Sequence, residues 1–251
     1  DLNFMVKAAT DSKHQNQEEC KPYAWVGNDR GLYSVGSDRR VDVNLDAMLS
    51  YKKRFGEFDL DAMLGVSLFN YQRNYLFSTT EGGLQQPDLY NLSNSQNTPS
   101  TTSKIERRRM AGAYGSVTLG YRDAFYLSFT GRNDWSSTLA PGNNSYFYPS
   151  VSGSVILSDL LHIDTPMVNF LKVRASWAEV GSPILWGISY LTYKWKQGSW
   201  STSATRPIQN LRPKNTTSWE VGLNARLFAN SLSLDFTYYK SNTKHQTFLV
   251  P

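Results

Sequence analysis

The chain has 251 residues, 26 Lys and Arg against 21 Asp and Glu for a formal charge of +5, and 14% aromatic residues. No run of about 18 apolar residues exists, which excludes a transmembrane helix, and the single cysteine, Cys20, excludes a disulfide framework. The mean hydropathy of −0.46 fits a soluble domain, but it equally fits a barrel whose strands are wet on one face.

In chain order, strands are expected at 2–9, 40–51, 57–70, 108–121, 125–133, 147–157, 170–180, 217–228 and 231–243. Each alternates apolar and polar residues. Val41, Val43, Leu45, Ala47, Leu49 and Tyr51 interleave with Asp42, Asn44, Asp46 and Ser50. Phe58, Leu60, Ala62, Leu64, Val66 and Leu68 interleave with Asp59, Asp61, Gly65 and Ser67. Because side chains on a strand point to opposite faces with period two, each segment has one greasy and one wet face.

Down the later strands the greasy face reads Val117, Leu119, Phe125, Leu127, Phe129, Val151, Val155, Leu157, Leu171, Val173, Trp177, Val221, Leu223, Leu227, Leu232, Leu234 and Phe236. The wet face reads Ser116, Thr118, Ser128, Thr130, Arg132, Ser152, Ser154, Lys172, Arg174, Ser176, Glu220, Asn224, Arg226, Asp235 and Thr237. A soluble β-sandwich would bury the first set, so periodicity alone leaves it open.

Strand length and the links favour a transmembrane barrel. The links alternate long (10–39), short (52–56), long (71–107), short (122–124), long (134–146), medium (158–169), long (181–216) and short (229–230). Outer-membrane barrels have short periplasmic turns and longer outer loops, which places 71–107, 134–146 and 181–216 outside the cell. Leu160, Leu161 and Pro166 make 158–169 a short ordered turn. The abrupt DLNFMVKA start and FLVP end read as the bounds of an internal fragment of a longer protein.

Little in the sequence points to catalysis. His14, His162 and His245 are scattered without metal-ligand spacing, Ser136-Ser137-Thr138 lacks a nucleophile-elbow pattern, and phosphate-loop signatures are absent. Asp59 and Asp61 share one strand face and read as ordinary lumen carboxylates. Lys104, Arg107, Arg108 and Arg109 form the one dense basic cluster, read as a solvated strand end. No nucleic-acid module accompanies it, so that partner is discounted.

Three blocks carry a family resemblance: TGRNDWSSTLAPGNNSYFYPSVSGSVILSDLL (130–161), FLKVRASWAEVG (170–181) and NLRPKNTTSWEVGLNARLFANSLSLDFTYYKSNTKHQ (210–246). They closely resemble the SusC/RagA family of TonB-linked outer-membrane transporters. GGLQQPDLYNLSNS (82–95) and the hairpin at 51–67 also look like that family's barrel. After FLKVRASWAEVG the family usually continues with an Asn- and Asp-rich stretch, whereas this chain has Ser182-Pro183-Ile184-Leu185-Trp186.

The resemblance implies an all-β fold, with about nine antiparallel meander strands of a transmembrane barrel of roughly 22. All 251 residues would be part of one barrel domain, without its plug, and alone would form an open, curved sheet. It implies import of oligosaccharides or peptides across the outer membrane, no enzyme activity and no cofactor. The implied partners are TonB, acting through an N-terminal part outside this sequence, a SusD-like surface lipoprotein, and outer-membrane lipid.

For substrate or lid contact the outer 181–216 link offers Trp186, Tyr190, Tyr193, Trp195 and Trp200, the densest aromatic set in the chain. A hairpin at 188–196 and 199–204 is expected there. Trp135 is a further candidate, although a place in the interfacial aromatic belt suits it better. Tyr146, Phe147 and Tyr148 read as part of the outer girdle.

Overall fold

The computed structural model describes residues 1–26, 28–139, 142–163, 165–182, 193–196, 199–202 and 213–246. Nine strands form one sheet in sequence order. They are β1 (Leu2–Trp25), β2 (Asn28–Phe55), β3 (Phe58–Leu84), β4 (Ser95–Tyr121), β5 (Phe125–Ser136), β6 (Ser145–Ile156), β7 (Val168–Ser182), β10 (Lys214–Leu227) and β11 (Leu232–Lys244). β8 (Tyr193–Lys196) and β9 (Ser199–Thr202) make a separate hairpin. The only helix among the described residues that is not a 3₁₀ turn is α1, the single turn Leu157–Leu160. Among the described residues the sheet is open: β1 pairs only with β2, and β11 only with β10.

The expected nine strands and their antiparallel meander are present, but the links keep the expected short–long alternation only from β2 to β6: β1 and β2 are as close in sequence as β2 and β3, and the link between β6 and β7 is longer than the one before it. The strand lengths need correction. β1 to β4 hold 24, 28, 27 and 27 residues, against the about 9–11 that cross a bilayer. Most of the expected long loop at 10–39 is strand, since β1 runs to Trp25 and β2 begins at Asn28. Most of 71–107 is strand too, leaving 85–94 as the loop. The physical reason is solvent: a strand wet on both faces lacks the continuous aliphatic row that lipid imposes, and charged and amide residues break up these stretches. The turn at 158–169 is ordered as expected, with α1 followed by backbone bonds from Leu161 N–H to Leu157 O and from Ile163 N–H to Ser158 O.

The chain divides into two compact units, 1–7 with 45–68 and 110–251, and 8–44 with 69–109. In the first, the registers align one apolar row after another. Val117, Phe129, Val151, Trp177 and Trp219 follow across five strands, and Tyr121, Phe125, Val155, Val173, Leu223 and Phe236 across six. These rows are bare: Phe129 is 48% exposed and Phe236 65%. Buried hydrophobic residues among those described are only Leu84, Ala124, Leu139 and Ala225. A sandwich buries its aliphatic rows under a second sheet, and no second layer is found among the described residues. An apolar face of this extent is one that lipid covers.

In the second unit, the loop at 85–94 is held from within. Asn94 is buried and donates to Gln86 O at 2.9 Å and Leu89 O at 2.7 Å, while its Oδ1 accepts from Gln86 N–H at 3.1 Å. Asn91 caps the 3₁₀ turn Leu92–Asn94 by accepting from Ser93 N–H. Gly82 and Gly83, with φ of 71° and 87°, set the bend that leads into it.

Candidate functional site on the polar wall

The wet residues of the first unit form one continuous wall. In register across β4 to β11 stand Thr118, Ser128, Ser152, Ser176, Glu220 and Tyr239, and next to them Tyr126, Ser154, Arg174, Gly222 and Thr237. Hydroxyls pair across strands, Thr118 with Ser128 at 2.8 Å and Thr130 with Ser150 at 2.6 Å. Such cross-strand pairs tie neighbouring strands on that face.

Two arginines organise this wall. Arg132 on β5 donates from Nε to Asp134 Oδ1 at 2.8 Å and from Nη2 to Ser67 Oγ on β3 at 2.8 Å. Its guanidinium lies 5.2 Å over the Tyr114 ring. Tyr148 donates to the other Asp134 oxygen. Asp134 is buried, and both of its carboxylate oxygens are engaged, one by Arg132 and the other by Tyr148. Arg132 reaches β3 because Gly112 stands between: a Cβ there would collide with Asp134 Oδ1, Arg132 Nη2 and Ser67 Oγ.

Arg174 on β7 works likewise. It crosses β10 to donate to Asn224 Oδ1, to Thr237 Oγ1 at 2.6 Å and to Asp235 Oδ1 at 3.2 Å, with Glu220 3.6 Å from its Nε. Gly222 makes the crossing possible, since a Cβ there would sit 2.5 Å from Arg174 Nε. Gly222→Val should therefore swing Arg174 off β11 and cost about 1–2 kcal/mol in lost hydrogen bonds. Arg174→Ala added to that variant should change stability by less than about 0.5 kcal/mol. Full additivity in urea unfolding would disprove the coupling.

Beside Arg174 lies a hollow of about 260 Å³, lined by Tyr126, Ser128, Ser152, Ser154, Lys172, Ser176 and Glu220 among others. Lys172 has no ion pair or hydrogen bond among the described residues. The hollow is rich in hydroxyls and cations, suited to passing or holding hydrated polar solutes.

The carboxylates Asp59 and Asp61 face cations from β2, Asp59 at 3.6 Å from Arg54 and Asp61 at 2.7 Å from Lys52. Arg54 also reaches Asp123 at 2.6 Å, and Arg122 pairs with Glu57 at 2.9 Å across the two short turns. These are solvated ion pairs. The histidines lie apart: His14 contacts Ser37 Oγ at 3.0 Å and His162 meets Leu160 O at 3.4 Å. His245 sits beside Tyr146 and Asn215.

The basic cluster needs correction. Lys104 to Arg109 sit inside β4 rather than where a loop enters it. Arg109 donates to Asn70 Oδ1 at 3.3 Å and Arg108 lies over the Phe69 and Tyr71 rings. Arg73 on β3 grips Asp38 with Nε at 2.9 Å and Nη2 at 2.8 Å. That fork holds the Asp38 carboxyl down at about 2, so the pair stays ionised across the neutral and mildly acid range. Sequence reading missed this lattice because the stretch was taken for loop; the aromatics at 69, 71, 75 and 77 were its available signal.

Of the singled-out aromatics, Tyr193 and Trp200 stand on the β8–β9 hairpin, 61% and 69% exposed, and Trp195 is the register partner of Trp200. Trp186 and Tyr190 lie outside the described residues. Trp135 is on the apolar face, in register with Ala111 and Ser145 and 42% exposed. That is the side of Phe129 and Trp177, opposite Arg132 and Asp134.

An open meander with one bare apolar face and one hydroxyl-and-arginine face is a section of outer-membrane barrel wall. The chain belongs to the TonB dependent receptor-like β-barrel family, whose model matches residues 5–251. It is similar to TonB-dependent receptor P3 of Formosa agariphila, 25% identical over 81% of this chain and 21% of that protein. It also resembles TonB-dependent receptor SusC of Bacteroides thetaiotaomicron, 23% identical over 80% of this chain and 21% of that one. The chain thus spans about a fifth of the length of these relatives. In fold it matches a chain of the RagAB peptide transporter, with a TM-score of 0.84 at 18% identity, covering 96% of this chain and 28% of that one. The RagAB peptide importer in its open-open state matches with a TM-score of 0.79 at 19% identity.

Proposed function

We propose that this chain is a section of the wall of an outer-membrane active importer. The importer takes up oligosaccharides or peptides, is energised by TonB and works under a SusD-like surface lipoprotein. All 251 residues serve one barrel domain, whose remaining strands and plug lie elsewhere in the protein. The turns at 56–57, 122–124, 157–163 and 228–231 face the periplasm, and the loop at 85–94 and the β8–β9 hairpin face outward. The bare apolar rows opposite a wall of hydroxyls and arginines carry the reading, because only lipid outside and water inside satisfies both faces at once. The similarity to TonB-dependent receptor SusC and to the RagAB peptide transporter supports the transport class.

The exposed Tyr193 and Trp200, with Trp186, Tyr190 and Trp195, form the outer contact surface for substrate or lid. Trp135 anchors in the lipid interface, where its indole bridges apolar and polar zones. The test is uptake of labelled oligosaccharides and peptides by cells carrying the complete gene. Import that stops on deletion of TonB or collapse of the proton gradient is expected. Import that continues unchanged would make the barrel a passive pore.

A further inference from the structure

Resting on that reading, we infer that one face of β3 and β4 in the second unit, centred on Arg108, is a binding track for an acidic saccharide chain. Every second residue from 69 to 77 is flat: Phe69, Tyr71, Arg73, Tyr75 and Phe77. Period two puts all five on one face. They are half-buried, while Asn74 and Leu76 between them are exposed. The Tyr75 and Phe77 rings are parallel to within 9°, with centroids 6.3 Å apart. The row is on the order of 27 Å long, eight steps of strand rise, the reach of a short oligosaccharide and well beyond one sugar.

The charges on this face are not equally committed. Arg73 is engaged by Asp38 and lies 3.7 Å from Glu106. Arg108 lies 5.0 Å over the Phe69 ring and 5.6 Å from the centre of Tyr71. Among the described residues it has no carboxylate and no hydrogen-bond acceptor, and its Nε is buried without a partner. Two rings therefore hold a guanidinium plane in place while its donor fork is unused. A carboxylate on a ligand would pair end-on with its two terminal Nη groups, with neighbouring sugar rings laid along the aromatic row.

The face selects saccharide over peptide. β3 is paired on both sides, with β2 and β4, so its backbone groups are already used. An extended peptide bound to a sheet draws its affinity from free main-chain groups at an edge, and none is offered here. A pyranose chain needs only flat apolar surface and side-chain donors.

The experiment uses the complete purified receptor, with hexagalacturonate, cellohexaose and hexaglutamate as calorimetric probes. Hexagalacturonate should bind most tightly, with affinity that falls as salt is raised. Arg108→Gln should weaken it at least about tenfold, Arg108→Lys should recover part of the loss, and Tyr75→Ala should weaken it while leaving heat-modifiable gel mobility intact. Cellohexaose binding should be indifferent to position 108. Equal binding of hexagalacturonate and cellohexaose, or an Arg108→Gln receptor that binds hexagalacturonate normally, would overturn the proposal. Arg108-dependent binding of hexaglutamate at equal strength would reassign the track to peptides. Each failure leaves TonB-dependent uptake of other solutes standing, so it is separable from the importer reading.

Discussion

Leu127→Arg in the complete barrel should lower its stability by about 2–4 kcal/mol, the depth-dependent penalty for a cation on the lipid side. Leu127 is paired with Leu119 on β4 and Gly153 on β6, and its row continues through Ala175, Val221 and Tyr238. Ser128→Arg, one residue on and on the opposite face, should change stability by less than about 1 kcal/mol, since its side chain meets water and the Thr118 hydroxyl. The measurement is reversible urea unfolding in lipid bilayers. A large loss at both positions would mean that both faces are packed against protein, and the single-layer reading would fall. Equal and small losses would mean that the 127 row meets water.

The second large effect is at Arg132. Arg132→Leu strips the cation from Asp134, whose side chain is only 6% exposed, and also frees Ser67 on β3. Removing one partner of a fully buried pair costs about 3–5 kcal/mol. Because the Arg132 side chain is 35% exposed, about 2–4 kcal/mol is the reasonable expectation. Adding Asp134→Leu should restore more than half of the loss, because the orphaned charge is then gone. If the double variant is no better than the single one, the contribution of Arg132 lies in packing over Tyr114 and in the bridge to Ser67, not in neutralising Asp134. Asp134→Leu alone supplies the fourth corner of the cycle.

The strands that cross lipid were legible because lipid writes a period into them. Phe125, Leu127 and Phe129 alternate with Tyr126, Ser128 and Thr130, and the registers place each set on one face. The order of the strands was legible too, since alternating link lengths leave a meander as the simplest path. What stayed hidden was β structure with water on both sides. Ser12, His14, Asn16 and Glu18 carry no apolar alternation, yet they lie in β1, held by pairing with β2. The glycines were equally mute: nothing beside Gly112 or Gly222 in sequence announces an arginine arriving from the next strand. The family resemblance supplied the class, and the residues supplied the faces. The Arg108 row fell between the two, since Tyr71 to Phe77 lay in a stretch expected as a loop while Phe69 and Arg108 stood at the ends of the strands on either side of it.

Each strand of the nine-stranded sheet pairs with the one before it in that sheet, and only the step from β7 to β10 passes over other strands, those of the β8–β9 hairpin. Closing a hairpin between sequential strands costs less loop entropy than a crossover of the same sheet would, although the long strands still bring residues far apart in sequence together. A wall of this kind can be added one hairpin at a time, each new strand templated on the exposed edge of the last. The interval in which any edge stands unpaired is then brief, which limits the aggregation that an open β edge invites while the protein waits to be inserted.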